Sequence, residues 1–190
     1  QVIDLRPVPR SREVAQERQQ DAEAVFEKIC AQVGPLAAGT RRQQEGTGLL
    51  IGKTGRSGGT VRAVEAGYFL DNPPARNLLT LADGSLGFTD TNSIILGKKI
   101  AEKTGLAVGD SCSLLTLLPV YSGGKAAPRM TRFKVCGIIS SGYQELDALW
   151  IFIPLETGKR ILSPQSSLNA LLVSAEDPFN ETALSALQQS

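Results

Sequence analysis

A mixed α/β (α+β) fold, a βαβ-based layer carrying an inserted β-rich lobe, is what this sequence predicts, and three observations predict it. A short alternating strand followed by a helical apolar stripe opens the chain, and a strand–helix–strand order closes it. Between them lie short apolar runs punctuated by glycine and proline. The composition, 42% hydrophobic and 21% charged over 190 residues, is that of a chain able to bury one good core or two modest, interleaved ones.

The elements follow in order. Gln1 to Arg6 alternates as a strand does and stops at Pro7 and Pro9. Ser11 to Val33 reads as a helix, with Ala22, Val25, Phe26, Ile29, Cys30 and Val33 on one face and Gly34-Pro35 as its stop. Leu36 to Ile51 reads as extended but interrupted by Arg41-Arg-Gln-Gln-Glu45, and Gly55 to Gly59 as a flexible turn. Thr60 to Val64 is a strand, Gly67 to Leu70 a loop with apolar anchors, and Leu78 to Leu81 is compatible with helix or strand. Ile94 to Leu96 feeds a helix over Gly97 to Thr104. Ser111 to Leu118 and Arg132 to Ile139 pair as a hairpin, and Leu149 to Ile153 is a buried strand without alternation. A helix from Pro154 to Leu162, a strand over Leu168 to Val173 and a helix begun by Asp177-Pro178 complete the chain. The expected division is 1–59 and 147–190 in the α/β layer, with 60–146 as the inserted lobe and a hairpin projecting at 118–132.

Composition excludes much chemistry. A net charge of +1 with scattered basic residues gives no footprint for nucleic acid, and 5% aromatic content gives no stacking platform. With no histidine there is no Ser-His-Asp or Cys-His pair and no imidazole-ligated zinc. Cys30, Cys112 and Cys136 are too few and too widely spaced for a thiolate metal site. Cys112 and Cys136 lie at mirror positions about Gly123-Gly124 and either face each other across the hairpin or pack as small core residues. No catalytic group, cofactor or metal is expected. No stretch approaches the ~20 apolar residues of a membrane span, no signal peptide is present, and both ends read as cut from a longer chain.

Local motifs resolve to structure. Gly46-Thr-Gly-Leu-Leu-Ile-Gly-Lys-Thr54 looks like a phosphate loop, but Thr47 stands where its first glycine belongs and bulky residues fill the cradle, so it reads as a strand entering a turn. Ser122, Ser140, Ser141 and Ser166 have only Lys98, Lys99 or Lys125 as conceivable activators. Asp83, Asp90 and Asp110 are isolated turn carboxylates.

The segment between Leu118 and Arg132 asks for a reason, because a two-residue turn would close the hairpin. Pro119 and Pro128 stiffen its legs. Val120, Tyr121 and Met130 offer apolar contact, and Lys125, Arg129 and Arg132 offer positive charge. These eight residues are the candidate partner-binding set.

Ile95-Leu-Gly97, Ala101, Gly105-Leu106, Gly109-Asp110, Phe133-Lys-Val135, Gly137-Ile138 and Ile153-Pro-Leu-Glu156 together resemble the extracytoplasmic core domain of FtsX/MacB-type ABC transporter permeases, most closely the lipoprotein-releasing LolC/LolE subunits. The resemblance covers roughly 70 residues well. It implies an α/β porter subdomain carrying a β-rich insertion, flanking membrane helices, and a place on the periplasmic side of the bacterial inner membrane. It implies a separate ATPase and a second permease subunit as partners, lipoprotein as cargo, and no chemistry in this domain. In the Lol permeases the matching hairpin recruits a periplasmic lipoprotein carrier, although the Gly123-Gly124 tip departs from that pattern. MacB-like efflux, FtsX-like control of a cell-wall hydrolase, a secreted binding module and a histidine-free hydrolase remain the alternatives.

Overall fold

The computed structural model describes residues 39–71, 73–119, 126–162 and 168–174, together with Ala24 and Glu27, which are helical and exposed. The strand expected at Gln1–Arg6, the rest of the helix at Ser11–Val33 and the last helix at Asp177 lie outside the described residues.

Among the described residues after Glu27, eight strands and four short helices follow one another. They are β1 (Gly39–Ile51), β2 (Arg56–Val64), α1 (Pro73–Leu78), β3 (Thr80–Gly84), β4 (Ser93–Gly97), α2 (Lys98–Thr104) and β5 (Ser111–Pro119). They continue with β6 (Ala126–Ser140), α3 (Gln144–Asp147), β7 (Trp150–Pro154), α4 (Leu155–Ile161) and β8 (Leu168–Ser174). Hydrogen bonding runs β2-β7-β4-β6-β5-β1, and β1 pairs back onto β2, so six strands close into a ring. The remaining two extend it: β8 pairs with Gly39 to Glu45 of β1, and β3 with the end of β6. Strands from all three expected segments thus join one sheet, and position 59/60 falls within β2.

Alternation along these strands sorts two cores. Leu50, Val61, Ala63, Ile94, Leu96, Cys112, Leu114, Phe133, Val135, Ile151 and Ile153 point into the ring, which Ile100 of α2 and Ile161 of α4 close off. Each valine, leucine, isoleucine or phenylalanine among them gains about 1.5–3 kcal/mol from leaving water. Ring space is scarce at β1: a Cβ on Gly48 would stand 2.9 Å from Leu114 Cδ1 and 3.0 Å from Val61 Cγ2. The outward residues Val64, Ile95, Cys136, Ile139 and Phe152 make a second core beneath Tyr68, Phe69 and Leu79. Phe152 anchors it, with ring centroids 5.1 Å from Phe69 and 6.1 Å from Trp150.

Several expectations need correction. Arg41 to Glu45 does not interrupt the strand, because this stretch of β1 is hydrogen-bonded on one side by β8 and, from Gln43, on the other by β2. Gly58 and Gly59 are strand rather than turn. The turn is Gly52–Gly55, closed by Gly52 N donating to Gly55 O at 2.9 Å. Gly59 is small because a Cβ there would lie 2.6 Å from the Leu149 carbonyl oxygen. The Leu78–Leu81 ambiguity resolves as a junction, with α1 ending at Leu78 and β3 starting at Thr80.

Helix α2 shows how local chemistry sets an end. Gly105 follows it at φ +65°, Leu106 N donates to Ala101 O at 3.0 Å, and Gly105 N donates to Glu102 O at 3.3 Å. This is a Schellman stop, and Leu106 and Ala101 are both buried in the inner core beside it.

Candidate functional site

The β5–β6 hairpin is longer and more regular than the sequence predicts. Pairing continues through Thr116↔Arg129, Leu117↔Pro128 and Leu118↔Ala127 to Pro119↔Ala126. Residues 126–131, expected as loop, are therefore strand. Both prolines are tolerated because neither strand has a second neighbour there among the described residues. β1 reaches β5 only at Ser113 to Leu115, and β4 reaches β6 only from Lys134.

Register divides the candidate residues between two faces. Met130 stands opposite Leu115 and Pro128 opposite Leu117, all on the outward face, and Arg132 and Lys134 follow them. Leu117 is 59% exposed and Met130 60%. Arg129 belongs to the other face, where its Nη1 donates to the Arg160 carbonyl oxygen at 3.4 Å. Nearby, Thr116 Oγ1 donates to Ile161 O at 2.8 Å, tying the hairpin to the end of α4. Pro119 is the last residue of β5, and Val120, Tyr121 and Lys125 lie outside the described residues. From sequence, Leu114-Leu115 and Leu117-Leu118 read as core strand in preference to a lipid-binding face, so Leu115 and Leu117, like Lys134, stay outside the partner-binding set. Their signal was alternation against Cys112 and Leu114, readable only once the inward residues are known.

The cysteines do not face each other. Cys112 pairs with Phe133, three residues short of the mirror register, and is buried in the inner core, whereas Cys136 is buried in the outer one. Both are free, and burial pushes the Cys112 thiol up to about 12 and raises that of Cys136.

Of the serines expected in loops, Ser140 ends β6 and Ser141 follows it, and both serve a carboxylate, whereas Ser122 and Ser166 lie outside the described residues. Asp147 accepts from Ser140 Oγ at 2.7 Å, Ser141 N at 2.7 Å and Ser141 Oγ at 2.8 Å. Burial acts to raise its carboxyl, but the Ser141 N–H and the two hydroxyls outweigh that and hold it below the usual value. A carboxylate so stabilised is a poor base for a hydroxyl. Its role is to tie α3 to the end of β6. Asp110 is likewise a turn residue, accepting from Ala107 N at 2.9 Å and from Lys53 Nζ at 2.6 Å. The Lys53 hydrogen bond, followed by that from Ala107, lowers its pKa.

A shallow cleft of about 400 Å³ lies between β3 and α2, lined by Asp83, Lys98, Glu102, Leu106 and Ile138 among others. No group of three potential metal ligands is brought together among the described residues. No helix among them is long and apolar enough to cross a membrane.

A ring of six strands with two strands added, packed by short helices and carrying a long hairpin, is thus the architecture to compare. Residues 2–189 match the model of the MacB-like periplasmic core domain, and the chain belongs to that family. Its fold is shared by the periplasmic region of MacB from Actinobacillus actinomycetemcomitans, at 16% identity and a TM-score of 0.53 over 81% of this chain. The extracellular domain of the noncanonic ABC-type transporter YknZ from Gram-positive bacteria aligns over 84% of this chain at 18% identity and a TM-score of 0.56. This chain spans 65% of the MacB structure and 76% of the YknZ one. No curated protein sequence matches it.

Proposed function

We propose that this chain is the extracytoplasmic domain of an ABC transporter permease subunit in a bacterial inner membrane, facing the periplasm, and that it serves lipoprotein release. A separate ATPase supplies the energy, a second permease subunit completes the transporter, and this domain performs no chemistry. Family membership over 2–189 is the observation that carries the transporter reading. The named resemblance to the Lol subunits and the exposed hairpin support release to a periplasmic carrier. Pro119, Val120, Tyr121, Lys125, Pro128, Arg129, Met130 and Arg132 are proposed as the docking element. We also propose that 1–59 and 147–190 form one unit and 60–146 a second. The β1–β8 ladder, which joins the two terminal segments, supports the first unit.

MacB-like efflux is the second reading, favoured by the family matched and by the likeness to MacB itself. Deleting Tyr121 to Ala127 in the full-length protein tests the docking element. The expected outcome is an unchanged thermal transition with loss of carrier binding in a pull-down. Carrier binding that survives the deletion sinks it. Loss of binding to an adaptor instead, with no affinity for a carrier, favours efflux.

A further inference from the structure

We infer that the docking surface is one face of the β5–β6 ladder rather than its tip alone, and that its partner is a protein presenting carboxylates beside an apolar strip. The inference rests on the docking reading above and deepens it by naming the partner's chemistry.

Four rungs make up the outward face: Ser111/Lys134, Ser113/Arg132, Leu115/Met130 and Leu117/Pro128. Polarity is graded along it. The two rungs nearest the ring pair a hydroxyl with a cation, and the next two are wholly apolar. The opposite side of the same strands is spent on packing, with Cys112, Leu114, Thr116 and Phe133 buried. Among the described residues nothing pairs with Arg132 or Lys134 as an anion. Nor does nearby sequence supply one. Residues 111–144 contain Lys125, Arg129, Arg132 and Lys134 and no aspartate or glutamate, in a chain that otherwise balances 20 basic against 19 acidic residues. Leu115, Leu117, Pro128 and Met130 form a contiguous apolar strip bordered by two cations that no described anion pairs, and contiguous exposed apolar surface is where partners bind. Charge complementarity then specifies the partner's rim as acidic.

A lipid surface fits less well. Polybasic lipid-binding segments carry about four to eight cations, and interfacial anchors are Trp and Tyr. This face has two described cations and no aromatic residue.

The test uses the full-length protein in its own cells. A photo-reactive residue is placed at Leu117 or Met130, with exposed Arg56 as control, and protein adducts are identified by mass spectrometry. The captured protein is then purified and titrated against wild type, an Arg132→Glu/Lys134→Glu double variant and the Tyr121–Ala127 deletion. Vesicles of phosphatidylglycerol are titrated in parallel. We expect adducts at 117 and 130 but not at 56. The double variant should bind at least tenfold more weakly at low salt, with the same melting temperature and a difference that shrinks as salt is added. Reversing acidic residues on the captured protein should restore affinity. If the deletion abolishes binding while the double variant binds normally, the tip docks the partner and the face inference falls. If neither change weakens binding, or no adduct forms, both readings fall. If only vesicle binding responds to the double variant, the surface is a lipid site and the inference is overturned.

Discussion

Leu114 and Leu117 stand three residues apart on one strand, yet the first has no exposed surface and the second is 59% exposed. The difference is between two ways of using a β-ladder. Where β5 borders β1, its inward face joins the inner core and even glycine positions are crowded. Beyond Leu115 the strand leaves β1, and its outward face keeps large apolar groups that packing does not require. The ring is therefore specified by volume, and the outward face of the arm is not.

The sharpest test of this contrast is truncation on the two faces. Leu114→Ala should destabilise by about 3–4 kcal/mol, since it opens a cavity inside a closed ring. Leu117→Ala should stay within about 0.5 kcal/mol. Urea unfolding of both variants measures this, and equal losses would break the comparison.

A smaller effect is expected from overpacking. A Cβ on Gly97 would stand 2.3 Å from the Asp147 carbonyl oxygen, a backbone atom that cannot swing away. Gly97→Ala should cost about 2–3 kcal/mol, read as a lowered unfolding midpoint.

Smaller again is the loss at the Asp147 latch. Its carboxyl is held below the ordinary value, so the latch contributes in full above the unfolded carboxylate range. That contribution disappears as pH falls through the folded value. Asp147→Asn should cost about 1–2 kcal/mol at pH 7 and flatten the acid limb of stability against pH. Thermal melts from pH 7 down to pH 3 report both.

What was legible in the sequence was what local pattern decides. β4 and β7 announced themselves as short apolar runs, and Pro154 and Gly105 marked the start and stop of α4 and α2. What failed was decided by distant partners. The polar run at Arg41 to Glu45 is strand because β8, more than 120 residues away, bonds along it. Gly58-Gly59 resembled a turn because sequence alone cannot distinguish a glycine chosen for freedom from one chosen for closeness to Leu149. The docking candidates were found by composition, but their sorting into faces needed a register that a symmetric reading about Gly123-Gly124 misplaces by three residues.

The fifteen-residue length of β6 has a mechanical consequence. One unbroken strand runs from the arm, through the ring between β4 and β5, to the serines held by Asp147. A pull along that strand loads the nine rungs shared with β5 in shear, all together, whereas a sideways pull peels them from the tip one at a time. The arm is thus stiff to a partner that draws it lengthwise and compliant to one that pries it open.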